Sequence, residues 1–277
     1  MKNEPTHVQS APIGFENLSV AALVPSPPTE ALPEENALPD ATRHASSVCM
    51  NCPIHELNLC AGLRKEEIRL GRSLLDSSTH TAPAKRTICH PRETSEFVQV
   101  ICHGWAATSI GLPDGRRQIL SFLLPGDIAS TASLFEPLPG RMVESITEVT
   151  YRKFDRGELL NIMLRHPELF KRLSRSWIEE RALADQLAID LGRRTADERI
   201  ARQILSLAER LGRRGMVRDQ SMAFPLRQRQ IADATGLTPV HVNKVLGNFQ
   251  RANFIKIEKR SLTIVNFEAL KRIAECQ

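Results

Sequence analysis

The amino-acid sequence predicts an α+β protein in which a strand-rich part precedes one long helix and a pair of short helices. Short apolar segments separated by Gly, Pro and Asp turns run over residues 84 to about 154, a pattern typical of antiparallel strands. Helical spacing of apolar residues then extends over residues 166–194. Further along, Gly236 separates two short amphipathic segments, which predicts two helices joined by a tight turn.

Length and charge bound the possible functions. The chain has 277 residues, enough for two domains with hydrophobic cores. Residues 195–277 contain 15 Lys and Arg against 8 Asp and Glu, whereas the first 48 residues contain 2 against 6. A basic C-terminal part indicates a polyanionic partner, because neutralising phosphates releases counterions. Net charge alone does not identify that partner, so the motifs must decide.

The N-terminal segment contains no signal for export. Residues 1–45 are rich in Pro, Ala, Glu and Ser without a sustained apolar period, and we expect a disordered lead-in there. The first ten residues, MKNEPTHVQS, lack the apolar region of a signal peptide. No run approaches the roughly 18 apolar residues that a membrane span requires. These features predict a cytoplasmic protein without a membrane partner.

Three cysteines are concentrated in one short segment. Cys49 and Cys52 form a CxxC, and Cys60 follows after seven intervening residues. Clustered thiolates satisfy a soft metal or an iron–sulfur cluster, and in a cytoplasmic protein CxxC favours metal or redox chemistry over a structural disulfide. Ordinary thiols are the alternative. Cys276, at the end of the chain, is interpreted as a bystander.

The strand-rich part predicts an antiparallel roll or barrel. The segments FVQVICHGWAATSIGL, RQILSFLLPGDIAST and VESITEVTYRKF are separated by turns at LPDG and LPGD. Arg116 and Arg117, in the first of these turns, are expected to be solvated surface residues.

The long helix carries a coiled-coil-like stripe. Pro167 suits its first turn. Apolar residues recur at steps of three and four once Glu180 is admitted as a polar member. Because the other face is highly charged, the stripe favours a seam between two copies of the chain over packing on the helix's own domain. The predicted dimer seam comprises Leu173, Trp177, Ala184, Leu187 and Leu191.

A capping box marks the start of the C-terminal domain. Thr195 is followed three residues later by Glu198, the pattern that opens a helix. The predicted organisation is therefore a lead-in over residues 1–45, a cysteine segment and sensory β-roll over 46–165, a dimerisation helix over 166–194 and a DNA-binding domain over 195–277.

Residues 226–257 have the layout of a helix-turn-helix. A first helix is predicted over residues 227–235, Gly236 supplies the turn, and Thr238 caps a second helix with Pro239 at its first position. Residues 254–257 and 261–266 predict the hairpin of a winged variant. The second helix must bury the apolar residues at steps of three and four, which are Val242, Val245, Leu246 and Phe249.

The opposite face of the second helix is predicted to read DNA. A Lys can donate to guanine, an Asn can pair with adenine, and a Val can contact a thymine methyl. An ordinary helical hairpin with polar surface residues is the alternative. The predicted DNA-binding residues are Thr238, Val240, His241, Asn243, Lys244 and Arg251.

Together these motifs resemble the CRP/FNR family of bacterial transcription regulators, particularly its FNR-like oxygen-sensing branch. The resemblance covers residues 49–273 and rests on the cysteine cluster, LPDGRRQILSFLLPGD, the long helix followed by TADERIA, and the helix-turn-helix. It implies a cyclic-nucleotide-binding-like β-roll, a long dimerisation helix and a C-terminal winged helix-turn-helix. FNR-like proteins bind a [4Fe–4S] cluster, dimerise when oxygen is absent, and recruit RNA polymerase at palindromic promoter sites, as activators do.

The fourth cluster ligand departs from the family pattern. The family's fourth cysteine lies in a strand at the end of the roll, and the matching position here is Arg152. We expect Cys102 to serve instead, with Cys89 as the alternative. His44 or His55 could also complete a site, since imidazole suits several metals. A Zn²⁺ site completed by a histidine is the alternative to the cluster.

Two further departures concern the DNA and the dimer. The family presents Glu, Ser and Arg where this chain has Val240, Asn243 and Lys244. Loss of the Glu removes an acceptor that reads cytosine, and Lys lacks the fixed fork of Arg, so a different half-site is expected. Ala184 stands where an acidic residue opposes association in the family's best-known member. An apolar residue there predicts a dimer regardless of signal.

Cyclic AMP and catalysis are not expected. The run after Gly126 and the Arg141-Met142 pair lack the clamp that the family uses for a cyclic phosphate. No Walker loop, HExxH or GxSxG motif is present. The sequence thus predicts a non-enzymatic regulator that responds to oxygen or redox state through an iron–sulfur cluster. A zinc- or thiol-based redox regulator is the alternative.

Overall fold

The computed structural model describes residues 79–137 and 140–275. The predictions for the lead-in, for Cys49, Cys52 and Cys60, and for Cys276 lie outside the described residues. Within them, no helix is long and apolar enough to cross a membrane.

The first domain is a β-roll of antiparallel strands. One sheet has the order β1-β7-β3, and the other has the order β2-β6-β4-β5. The sequence pattern predicted strands only from residue 84, whereas β1 begins at Thr79. Sequence reasoning missed this strand because backbone pairing with β7 defines it and no apolar alternation marks it. The strands are β1 (Thr79–Ala82), β2 (Thr87–Cys89), β3 (Phe97–His103), β4 (Ala106–Gly111), β5 (Arg117–Leu123), β6 (Met142–Ser145) and β7 (Val149–Asp155).

Three helices lead away from the roll. Helix α1 is Arg156–Arg165, α2 is Pro167–Arg193, and α3 is Ala196–Gly212. The long helix predicted from the apolar stripe is confirmed, with Pro at its start. The capping box is confirmed as well, since Thr195 and Glu198 exchange side-chain to backbone hydrogen bonds at the start of α3.

The C-terminal domain is a winged helix-turn-helix, as predicted. Its small antiparallel sheet has the order β10-β11-β9-β8. The hairpin of β10 and β11 follows the helix pair directly and forms the wing. The elements are β8 (Val217–Arg218), β9 (Ser221–Ala223), α4 (Gln228–Thr235), α5 (Pro239–Arg251), β10 (Ile255–Glu258), β11 (Ser261–Ile264) and α6 (Phe267–Ala274).

One apolar core joins the two domains. Trp105 and Phe122 of the roll belong to the same buried cluster as Ile200 and Ile204 of α3. Burial of each such side chain stabilises the folded state by about 1.5–3 kcal/mol. The C-terminal domain therefore packs directly on the roll.

A buried ion-pair network lies beside this core. The carboxylate of Asp127 accepts hydrogen bonds from Arg210, at 2.6 Å, and from Arg214. Arg210 also donates to the carbonyl of Phe122 at 2.8 Å, and Arg214 donates to that of Pro125 at 2.8 Å. Both arginines belong to the C-terminal domain and are buried, so one carboxylate compensates two charges at the domain junction.

Arg117 differs from the expectation of a solvated surface residue. Its guanidinium donates to Asp233 at 2.7 Å and to Glu144 at 3.1 Å, and its side chain is about a quarter exposed. Strand β5 brings it against the first helix of the helix-turn-helix, a partner 116 residues away. Arg116 remains exposed as expected and pairs with Asp114 in its own turn.

We predict that Asp127→Asn lowers the free energy of unfolding by about 3 kcal/mol, because it removes the carboxylate that pairs with two buried arginines. Chemical denaturation of the full chain measures the change. Asp114→Asn is the matched control, because its carboxylate is exposed to water, and it should leave the denaturation midpoint in place. An Asp127→Asn midpoint equal to that of the control would contradict this role.

Candidate functional site

The second helix of the helix-turn-helix has one buried and one exposed face. Val242, Val245, Leu246 and Phe249 are buried, as the apolar spacing predicted. Thr238 caps the helix, since its hydroxyl accepts a hydrogen bond from the backbone N–H of His241 at 3.2 Å. The opposite face is open to solvent. All six residues predicted to bind DNA are exposed there, namely Thr238, Val240, His241, Asn243, Lys244 and Arg251.

Val240 is the least expected member of this face. Its side chain is 80% exposed, although exposing an apolar side chain gains nothing in a free domain. An exposed apolar residue among polar neighbours suits contact with a thymine methyl group.

Gln228 is a member of the site that sequence reasoning missed. Its side-chain nitrogen donates to the Oδ1 atom of Asn243 at 2.7 Å. Gln228 is the first residue of α4, and the turn of the motif brings it beside α5. This bond orients the Asn243 carboxamide, and the helix-turn-helix geometry was the only sequence signal that could have pointed to it.

The turn between α4 and α5 lies against the end of the long helix. Gly236 adopts a left-handed conformation, with φ 66° and ψ 32°. A Cβ atom at this position would lie 2.7 Å from Cδ2 of Leu191. Any other residue would thus strain the backbone and collide with α2.

Arg199 connects three segments at the same place. Its Nη2 donates to the carbonyl of Leu191 at 3.0 Å, its Nε to that of Arg194 at 2.8 Å, and its Nη1 to that of Thr235 at 3.1 Å. One guanidinium thereby joins the end of α2, the connector and the end of α4. The motif TADERIA contained this residue, but its partner Thr235 lies 36 residues further along the chain, too far for sequence reasoning to assign.

The candidate fourth ligands lie on different sheets of the roll. Cys89, on β2, is buried, and burial raises the pKa of its thiol to about 12. Cys102, on β3, is partly buried, with its sulfur 3.7 Å from the carbonyl oxygen of Val100. Arg152, on β7, is buried and lies opposite that same Val100. Cys102 is therefore on the strand next to Arg152, whereas Cys89 is not.

No group of three His, Cys, Asp or Glu residues that could hold a metal occurs in the described part of the chain. The remaining candidate ligands, Cys49, Cys52, Cys60, His44 and His55, lie outside it.

The predicted dimer seam meets two different surroundings. Leu173 is buried in the apolar cluster of the roll, so it packs α2 on its own chain. Leu187 and Leu191 are partly buried and line a cavity between α2 and the roll. Ala184 is exposed but lines the same cavity, whereas Trp177 is exposed outside it and retains surface for a partner. Contact between two copies stays a prediction.

Comparison with known proteins agrees with this architecture. Residues 79–166 match the cyclic nucleotide-binding domain, and residues 198–273 match the Crp-like helix-turn-helix domain. The transcriptional activatory protein AadR of Rhodopseudomonas palustris is 31% identical over 193 residues, which make up 67% of this chain and 78% of AadR. The chain belongs to the CRP/FNR family of DNA-binding transcription regulators. It is accordingly a regulator and not an enzyme, as predicted.

Other members of the CRP/FNR family match over a larger part of the chain. The nitrogen fixation regulation protein FixK of Bradyrhizobium diazoefficiens is 30% identical over 233 residues, which make up 82% of this chain and 93% of FixK. The structure of FixK2 from Bradyrhizobium japonicum aligns with a TM-score of 0.64 and 25% identity, covering 72% of this chain and 98% of FixK2.

We predict that Arg199→Lys in this CRP/FNR regulator lowers the free energy of unfolding by about 2 kcal/mol. An ammonium group cannot donate to three carbonyls in the fork geometry of a guanidinium. The carbonyl oxygens that lose their donor are desolvated, which destabilises the folded state. Chemical denaturation measures the loss. Arg229→Lys, an exposed substitution on α4, is the control, and equal stability of the two variants would refute the role assigned to Arg199.

Proposed function

We propose that this CRP/FNR regulator reads palindromic DNA as a homodimer, with the exposed face of α5 in the major groove of each half-site. The observation that supports the proposal best is the clean division of α5. Four apolar residues hold the helix on its domain, and the six exposed residues predicted from sequence lie on its outer side or, for Thr238, at its N-cap. A helix presented in this way fits the width of the major groove.

Individual roles follow from the chemistry of the side chains. Lys244 donates to guanine acceptors, and Val240 contacts a thymine methyl. Asn243 pairs with adenine, and Gln228 acts as its positioning residue, since the 2.7 Å hydrogen bond holds the carboxamide in one orientation. Arg251, near the end of α5, is placed for a phosphate.

Basic residues beside the helix add phosphate contacts. Arg227 and Arg229, at the start of α4, are exposed. Lys259 and Arg260 form the tip of the wing, are exposed, and hold positive φ angles of 46° and 64°. Contacts to phosphates position a protein on DNA without reading its sequence. These residues would therefore supply affinity, while α5 supplies the choice of site.

The homodimer proposal rests on exposed apolar side chains along α2. Trp177 is 60% exposed, Ile178 67% and Ile189 49%, and Trp177 lies with its ring centroid 6.0 Å from that of Phe135. Apolar surface of this kind, repeated along one helix, favours pairing with a second helix. Two-fold pairing of the long helices would match the symmetry of a palindromic site.

The proposed signal is oxygen or redox state, sensed through a [4Fe–4S] cluster held by Cys49, Cys52, Cys60 and Cys102. The cysteine spacing supports this proposal. The described part of the chain bears on the fourth ligand: Cys102 is partly accessible on the strand beside Arg152, whereas the buried Cys89 resists the thiolate form that a metal requires. A bound cluster would supply sensitivity to oxidants. A Zn²⁺ or thiol-based switch in the same segment is the second candidate.

The DNA proposal is tested on a site obtained by selection from random DNA with the full chain. We predict that Lys244→Ala weakens binding to that site by about 1–3 kcal/mol, roughly 5- to 150-fold in affinity, because it removes a donor to guanine. Fluorescence anisotropy measures the affinities. Lys171→Ala, an exposed substitution on α2, should leave binding unchanged.

Scrambled DNA separates base reading from phosphate contact. Loss of Lys244 should cost less affinity there than on the selected site. An equal loss on both sequences would assign Lys244 to the backbone and contradict its role in reading bases.

The cofactor proposal is tested on protein purified without oxygen. We predict a brown protein that absorbs at about 400 nm and bleaches in air, with iron and sulfide assayed on the same sample. Ala in place of Cys49, Cys52, Cys60 or Cys102 should remove the absorbance, whereas the matched Cys89→Ala variant should keep it. A colourless protein with about one zinc per chain would contradict the cluster and favour the second candidate.

A further inference from the structure

A cavity of about 350 Å³ lies between the roll and the long helix. Most of its walls are apolar. The floor comes from β5 and the loop after it, and the roof comes from successive turns of α2. At one side of the cavity stand three polar residues that belong to different elements, namely Thr131, Arg141 and Glu180.

These three residues bind one another closely. The backbone N–H of Thr131 donates to the Oε2 atom of Glu180 at 3.2 Å, and the hydroxyl of Thr131 donates to the same atom. The guanidinium of Arg141 donates to the other carboxylate oxygen, Oε1. The side chains of Arg141 and Glu180 are about two-thirds buried. Both oxygens of the carboxylate thus have donors, and two of those donors are side chains of the roll.

Glu180 is also the polar residue that interrupts the apolar stripe of α2. Spacing alone gave no reason for a carboxylate at this position of a seam. Its neighbour Glu179 is half exposed and pairs with Arg213 at 3.4 Å, so the two adjacent carboxylates make different contacts. Two donors on the roll account for the carboxylate at this position. Glu180 on α2 accepts hydrogen bonds from the side chains of Thr131 and Arg141.

We infer that Thr131 and Arg141 form an anion-binding site whose ligand is the chain's own Glu180 carboxylate. The contact fixes α2 on the roll without any external ligand. A free carboxylate or phosphate binds at Thr131 and Arg141 only when Glu180 is withdrawn, because a second anion beside it would lack a counter-charge in a partly desolvated site. The inference stands independently of the DNA and cluster proposals.

The contact lies on the helix that reaches the DNA-binding domain. Leu191, three turns beyond Glu180 on α2, meets both Gly236 and Arg199. Holding Glu180 on the roll therefore also sets where the end of α2 meets the turn of the helix-turn-helix. Because the ligand is the chain's own Glu180, the position of α2 is set without a bound small molecule.

The experiment compares Glu180→Ala with Asp185→Asn in the full chain. Asp185 is an exposed carboxylate on the same helix that pairs with Arg181, so its removal controls for lost charge. Thermal unfolding is recorded in sodium chloride and in sodium phosphate of equal ionic strength. Glu180→Ala should lower Tm by about 3 °C in chloride, and phosphate should restore at least half of that loss, since it occupies the vacated site.

Wild-type protein and Asp185→Asn should show no phosphate-specific rise in Tm. The double variant Arg141→Ala/Glu180→Ala should lose the response, because the charged donor is gone. An equal phosphate response in wild-type protein would overturn the inference, and so would a Glu180→Ala variant that behaves like Asp185→Asn in both salts. If Glu180→Ala does not fold in chloride, Glu180→Ser, which also vacates the site but keeps a polar side chain, is measured against the same outcomes.

Discussion

The carboxylate of Asp127 joins the two halves of this regulator. It lies in the roll and compensates two buried arginines of the C-terminal domain, Arg210 and Arg214. Buried charges are costly to leave unpaired, so this arrangement is maintained only while the domains stay docked. The apolar core beside Asp127 also requires the domains to stay docked, because it buries Phe122 in the same cluster as residues of α3. The orientation of the DNA-reading helix relative to the roll depends on both.

The long helix is held at its start, its middle and its end by different kinds of contact. Near its start, Leu173 packs into the apolar core of the roll. In its middle, Glu180 binds polar groups of the roll. At its end, Arg199 and the close approach of Gly236 to Leu191 connect it to the helix-turn-helix. The helix is thus fixed to its own chain at three points along its length.

Sequence reasoning succeeded where the signal was local. The capping box at Thr195, the left-handed Gly236 and the Thr238 cap each depend on residues within four positions of one another. The apolar spacing of α5 correctly assigned its buried and exposed faces. Apolar spacing was less informative for α2, because a stripe of apolar residues does not indicate whether the same chain or a second copy covers it. Leu173 is covered by its own chain, while Trp177 is exposed.

The sequence by itself determined the strand-rich part, the long helix, the winged helix-turn-helix and the exposed face of α5, because periodicity and caps act within a turn or two. Only the tertiary structure decided the partners of the polar residues. Arg117 reaches Asp233 across 116 residues, and Glu180 reaches Thr131 across 49. Such pairs form because packing brings distant strands and helices together, and no local pattern in the chain records which charge will meet which.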